Sequence, residues 1–319
     1  MTGDPVAPGL EAPVAPRLEV VEYTDPLCPW SWGSEPTLRR LRQTLEGQVR
    51  WRRVYCILFD DDDDPAPDAA AETAWYARYI EEIGAHTRAP YAARLSRVAA
   101  SSWPASLVAK AAEAQGEEVS ARALRRLRET VFVLGEPADT LDLALDAVRD
   151  VPGLDPDRLR RDATSEAVRQ KVLADRAEAR RPVAEVLAPP PGDSPHPGAA
   201  KETDDGTGLR YALPTVLVCG EAGHRAVPGW RPYDEYAAAV EELSPGLTAP
   251  VRPLPADEAL RRYRTLTEPE RSALTRGPWP PQDAVRADTA NGPLWLCPSE
   301  AEAHPATRPH DNSGPLAPR

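Results

Sequence analysis

Strand-forming residues in this chain fall into two separated blocks, and residues 66–190 between them read almost entirely as helix. Leu18–Thr24 is rich in β-favouring side chains and stops at the turn signal Asp25-Pro26, which predicts a strand running into a loop. Apolar and basic residues from Ser34 to Leu45 then follow helical spacing, with Ser34 as cap and Pro36 early in the helix. Gln48–Phe59 supplies a second strand, so the first block is a strand, helix, strand unit that seeds a parallel pair. Helical spacing next covers Ala69–Ile83, Ser102–Gln115, Ala121–Val133, Thr140–Val148 and Asp155–Ala188. Strand character returns at Tyr211–Val218, Glu221–His224 reads as a hairpin turn into another short strand, and Pro232–Leu243 closes with a helix. The order predicts an α/β fold whose sheet is split by an inserted helical domain.

The expected organisation is a disordered leader at 1–17, a sheet domain from 18–59 and 209–245, and a helical insertion over 66–190. A linker over 191–208, an accessory segment over 246–300 and a disordered tail over 301–319 complete it. The 37 Pro and 19 Gly concentrate in the termini and the linker, while a hydrophobic fraction of 41% over 319 residues suffices for a packed core. A net charge of -12 opposes attraction to nucleic acid or anionic lipid. No apolar run is long enough to span a bilayer, and Met1–Arg17 lacks the basic start and apolar block of a secretory signal, so a cytoplasmic location is expected. Cys28, Cys56, Cys219 and Cys297 lie far apart without C-x-x-C or metal-type spacing, which argues against a zinc site or a disulfide framework. Three lysines beside many Arg and Ala suggest a GC-rich bacterial source.

Three features together resemble the DsbA family of thioredoxin-like proteins, including its FrnE-like branch, over residues 18–245. They are Asp25-Pro-Leu-Cys28-Pro-Trp-Ser31-Trp32 at the strand-to-helix junction, the long helical insertion, and Leu213-Pro214-Thr215 at the start of a strand. Trp103–Leu107, Arg125–Glu129 and Gly229–Tyr233 add to the likeness. The resemblance implies thiol–disulfide chemistry at Cys28, a cis peptide before Pro214, and a substrate groove formed by Pro29, Trp30, Trp32, Leu213, Pro214 and Thr215. Ser31 stands where a dithiol member has its second cysteine. The Asp-Pro-Leu-Cys form with a following Glu-Pro is also similar to thioredoxin-like adaptors that deliver substrates to a protease.

A cysteine at a helix N-terminus is expected to have a lowered pKa, in the range of about 3.5 to 7.5 against about 8.5 for a free thiol. Ser31, three residues on, can donate its hydroxyl to the Cys28 sulfur but cannot attack a mixed disulfide. The expected chemistry is monothiol exchange with an external low-molecular-weight thiol, glutathione or mycothiol, with no tightly bound cofactor and no metal. Trp30 and Trp32 would offer an apolar platform. The Asp60–Asp64 run lacks the spacing of a calcium loop and reads as a solvated loop. His86, His196, His224, His304 and His310 are scattered, with His196, His304 and His310 in expected loops or tails, and none carries an assigned role. Cys56 and Cys219 read as core residues and Cys297 as partly exposed.

Three functions remain open at this point. The first is a thiol–disulfide oxidoreductase acting through Cys28 on a small or protein thiol. The second is a redox-inactive adaptor binding a protein client, and the third is a kappa-type glutathione transferase or isomerase. The C-terminal segment offers a helical stretch over Ala256–Leu274 and a short strand at Pro293–Cys297; within Arg261–Cys297, a helix around Leu266–Arg271 followed by that strand faintly resembles a degraded winged helix, whose mixed charge favours protein over DNA contact.

Overall fold

The computed structural model describes residues 18–61, 66–203, 206, 208–250 and 252–308. The expected leader, residues 309–319 of the tail and Asp62–Asp64 lie outside them. In chain order, β1 (Glu19–Thr24) leads to α1 (Pro29–Gly33), α2 (Glu35–Thr44) and β2 (Arg50–Tyr55). The helix expected to begin at Ser34 thus starts earlier: Pro29 opens a short first helix, and Ser34 separates it from α2 by bonding back to the Trp30 carbonyl through both its N–H, 3.0 Å, and its hydroxyl, 2.8 Å.

The insertion comprises α3 (Ala69–Thr87), α4 (Trp103–Ala112), α5 (Glu117–Phe132), α6 (Leu141–Val148), α7 (Pro156–Ala163) and α8 (Glu166–Ala179). Side-chain caps set several starts: Asp68 accepts from the Ala70 and Ala71 N–H groups, Thr140 from Leu143 and Asp155 from Arg158. The helical spacing over Asp155–Ala188 resolves into two helices, because Ser165 in extended backbone accepts from the Val168 N–H and starts α8 afresh. Leu124, Leu127, Phe132, Val108 and Val148 fill the core of this domain.

Then follow β3 (Lys201–Glu202), β4 (Leu209–Arg210), β5 (Thr215–Gly220), β6 (Gly223–Pro228) and α9 (Tyr233–Leu243). The main sheet has the order β2-β1-β5-β6, with β1 and β2 parallel and the remaining pairs antiparallel. Side chains alternate across it. Val20, Val216 and Val218 meet α2 and α9 through Leu38, Leu41, Tyr236 and Val240, while Val21, Tyr23 and Leu217 face Cys28, Trp30 and Ile83 on the other side. The stretch expected as a linker carries the β3–β4 ribbon and a buried His196 instead.

The C-terminal segment contains β7 (Leu254–Pro255), α10 (Ala256–Tyr263), β8 (Thr265–Thr267), α11 (Glu268–Leu274), β9 (Thr275–Arg276), β10 (Val285–Ala287), β11 (Leu294–Leu296) and α12 (Pro298–Ala301). The helix expected over Ala256–Leu274 is interrupted at Arg264, whose φ of 66° leaves the helical region, and restarts at the capping box of Thr267 and Glu270. β10, β11 and β8 form an antiparallel sheet in that order. The winged-helix likeness rests on this helix, strand, helix, hairpin order alone. Two expectations are corrected here. Cys297 is buried, and residues 301–308 are ordered around His304, a buried side chain whose Nε2 lies 2.9 Å from Glu129 Oε2.

A buried ion-pair cluster binds the three parts together. Arg125 of α5 donates both terminal nitrogens to Glu270 of α11 at 3.0 Å each and its Nε to Glu129 at 2.7 Å. Arg39 of α2 reaches the same Glu270 at 3.1 Å and Glu35 at 3.1 Å. Arg128, wholly buried, pairs with Glu35, and Arg126 pairs with Glu300. In β1, Glu22 receives Arg42 and Arg53 at 3.4 and 3.3 Å. Two-pronged guanidinium–carboxylate contacts of this kind keep buried charges compensated. The arginines around Glu22 and Glu35 hold both carboxyl groups below their ordinary range, against their own burial.

Asp60 corrects a further expectation. The first member of the acidic run is buried, and it accepts from Trp103 Nε1 at 2.9 Å, Arg176 Nε at 2.6 Å and Arg180 at 2.7 Å. It anchors the insertion to the end of β2 rather than facing solvent. Among the described residues no helix is long and apolar enough to cross a membrane.

Candidate active site around Cys28

The loop before Cys28 is fixed by a buried carboxylate. Asp25 Oδ1 accepts from the Leu27 N–H at 2.8 Å and the Ser102 hydroxyl at 3.1 Å, and Oδ2 accepts from the Leu58 N–H at 2.8 Å. The loop is therefore tied to the end of β2 and the start of α4. Burial pushes the Asp25 pKa up to about 6 although these donors favour the charged form.

Cys28 caps α1 in extended backbone, φ -85° and ψ 119°. It is 4% exposed, and its Sγ faces the Leu213 carbonyl oxygen at 3.9 Å. The Leu213–Pro214 peptide is cis. The expectation of a lowered thiol pKa is corrected: burial pushes the Cys28 thiol up. The Ser31 hydroxyl, the Ser31 N–H and the Trp30 N–H oppose this, and the nearby Asp25 carboxylate adds to it. With only five residues, α1 contributes few aligned dipoles, and loss of water outweighs them. Ser31 lies wholly buried beside the sulfur, and its hydroxyl has no hydrogen-bond partner among the described residues. A thiolate at Cys28 would give that donor its acceptor.

His196 holds the other side of the Leu213 carbonyl. Its Nδ1 accepts from the Gly198 N–H at 2.9 Å, which leaves Nε2 as the protonated nitrogen, donating to Leu213 O at 3.0 Å. Burial pushes its pKa down to about 4, so the ring is neutral. The imidazole stands edge-on to Trp30 at 5.0 Å. Gly229, at φ 82°, makes room for it: a Cβ there would fall 2.4 Å from Nδ1.

Cys28 lies at the base of a cleft of about 840 Å³. One wall is aromatic: Tyr79 accepts from Trp30 Nε1 at 3.0 Å and stacks on Trp75, which is 56% exposed. Lys201 and Arg210 of the β3–β4 ribbon also line the cleft. Of the residues expected to form the groove, Pro29, Trp30 and Leu213 line this cleft together with Cys28. Trp32 points away, because two helical positions turn the side chain through about 200°. It stacks on Phe132, donates to the Pro90 carbonyl at 2.8 Å and carries the Arg125 guanidinium 4.3 Å above its ring. Thr215 is buried and donates to the Ala212 carbonyl at 2.6 Å, which fixes the turn into β5. Pro214 sits behind Leu213, its carbonyl accepting from the Gly229 N–H at 2.7 Å.

Sequence reasoning missed His196, Lys201, Arg210 and the aromatic wall of α3. The spacing of Trp75, Tyr76 and Tyr79 along one helix could have revealed that wall. Nothing in a Pro/Gly-rich stretch marks His196.

The family model described as Thioredoxin matches residues 22–181. The chain is 30% identical over 166 residues to the ClpXP adapter protein SpxH of Shouchella clausii, covering 51% of this chain and 53% of that one. A second such adapter, from Halalkalibacterium halodurans, is 27% identical over 175 residues, covering 50% and 53%. The chain thus spans about half the length of the curated relatives it matches. Among solved structures, a putative protein disulfide isomerase from Nitrosomonas europaea superposes with a TM-score of 0.52 at 16% identity, covering 71% of this chain and 95% of that one. The cytosolic disulfide reductase DsbM from Pseudomonas aeruginosa does so at 0.50 and 15% identity, covering 70% and 97%. With the family model covering half the chain, and with a helical domain set into the sheet between β2 and β5, this protein belongs to the thioredoxin family and has the DsbA-type architecture.

Proposed function

We propose that the protein is a thiol–disulfide oxidoreductase working by monothiol exchange at Cys28 in a reducing cytoplasm. The observation that carries the reading is the pairing of a cleft-lining sulfur with an unpartnered buried hydroxyl, Ser31, beside it. In the exchange, the Cys28 thiolate attacks one sulfur of a disulfide RSSR. The Cys28–SR bond forms as the RS–SR bond breaks, and the departing RS⁻ takes up a proton equivalent to the one Cys28 released. With Ser31 in place of a resolving cysteine, a second external thiol must attack the mixed disulfide to regenerate Cys28. Glutathione or mycothiol would serve as that thiol.

Because burial raises the thiol pKa, exchange should be slow at neutral pH and accelerate as pH rises past the ordinary thiol range. The test is the pH dependence of Cys28 alkylation with Cys28→Ser as the blank, joined to mass spectrometry after exposure to glutathione and mycothiol disulfides. A mixed disulfide at Cys28 that a second thiol releases supports the reading. A Cys28 that stays free at every pH overturns it in favour of a client-binding adaptor. That second reading has its own support in the resemblance to adapter proteins and in the raised thiol pKa.

A further inference from the structure

We infer that the cleft beside Cys28 selects thiols and disulfides bearing a carboxylate, which Lys201 and Arg210 receive; this rests on the exchange chemistry proposed above. The two cations stand directly opposite one another on the β3–β4 ribbon, and both line the cleft that holds Cys28, Trp30 and Leu213. Like charges facing across an antiparallel pair destabilise it. Among the described residues neither cation has a carboxylate partner, and Arg210 donates to the Tyr211 carbonyl, at 3.3 Å.

Some cations elsewhere in the molecule do have carboxylate partners. Lys110 has Asp175 at 2.8 Å, Arg52 has Glu178 at 2.9 Å, and Arg231 has Glu235 at 3.6 Å. In a chain of net charge -12, the described lining of this cleft holds two cations against one carboxylate. Their field reaches the cleft floor. The Arg210 charge favours ionised Asp25 and Tyr79 against their burial, and the Lys201 charge helps keep His196 neutral. Among the described residues Glu72 is the one carboxylate of the lining, and it belongs to α3 with the aromatic wall. A ligand carboxylate therefore goes to the ribbon side and its apolar portion to Trp30, Tyr79 and Trp75. In chemical terms the ligand is a small acidic thiol, such as a peptide thiol with a free carboxyl terminus, in preference to a neutral sugar-conjugated thiol.

The test compares the rates at which three disulfides modify Cys28 at low ionic strength, read by peptide mass spectrometry: glutathione disulfide, its ethyl-esterified form and bis(2-hydroxyethyl) disulfide. The free acid should react about tenfold faster than the ester, and raising the salt to about 0.5 M should erase most of that preference. The double variant Lys201→Gln, Arg210→Gln should bring the acid-to-ester ratio to about one. The charge-conserving exchange Lys201→Arg, Arg210→Lys should keep it, which separates lost charge from lost fold. Equal rates in the parent protein, or a preference that survives the Gln variant, overturn the anion subsite while leaving exchange at Cys28 standing. If bis(2-hydroxyethyl) disulfide also fails to modify Cys28, the exchange chemistry falls and the subsite falls with it.

Discussion

The two sides of the α1–α2 junction differ in how their charged groups are paired. Toward α5 and α11, buried charges are matched: Arg125 and Arg39 share Glu270, Arg128 meets Glu35, and His304 meets Glu129. Toward the cleft, among the described residues, Ser31 has a hydroxyl without an acceptor and Lys201 and Arg210 lack counter-ions, while Asp25 and Cys28 have pKa values raised by burial. The matched side sets the shape of the molecule. On the cleft side, the unmet hydrogen bonds and charges define what a ligand must supply.

The largest test of this contrast is Glu270→Gln. It leaves Arg39 and Arg125 buried without full compensation, and urea unfolding should show a loss of about 3 to 5 kcal/mol. A loss under about 1 kcal/mol would dissolve the distinction. A second test separates the sides by pH. His196, buried and neutral with a pKa of about 4, regains a value near 6.5 on unfolding. The unfolded chain then binds more protons between those values, so the stability that His196 contributes falls as pH drops through that window. The stability difference between the parent and His196→Gln should shrink by about 3 kcal/mol from pH 7 to pH 4. The clamp carboxylates behave differently. Glu35 and Glu129 are held below their ordinary range by facing arginines, against burial, so their contribution persists above about pH 4 and is lost only below it.

Ser31→Ala should raise the Cys28 pKa further and slow alkylation at pH 8 by about tenfold, since a hydroxyl donor to a thiolate stabilises it by about 1.5 kcal/mol. An unchanged rate would remove Ser31 from the site. Smallest is Trp75→Ala: the side chain is half exposed and stacked only on its own helix, so thermal unfolding should report a change within about 0.5 kcal/mol.

The strand-favouring residues of Leu18–Thr24, the helical spacing of the insertion and the Cys28 motif made the split-sheet fold and the place of Cys28 before a helix legible in the sequence. What stayed hidden depends on contacts between distant residues. The spacing of Arg125, Arg126, Arg128 and Glu129 gives no hint that all four are buried, because their partners lie as far away as Glu270 and Glu300. The direction of the Cys28 pKa shift was hidden for the same reason, since a helix start is local but desolvation comes from the whole fold. The aromatic pair Trp30 and Trp32 was read as one platform, yet helical geometry sends one to the cleft and the other to the insertion core.

The clamp also bears on the order of synthesis. Arg125 and Glu270 are 145 positions apart. At ribosomal speeds, roughly ten seconds separate the making of one from the other. During that interval the rest of the insertion and then β5 and β6 are made, while Arg39 and Arg125 still lack Glu270, the carboxylate they will share. The native arrangement can close only after the last segment emerges. A ribosome stalled before residue 270 would therefore hold a chain whose Cys28 motif is complete and whose interior is not.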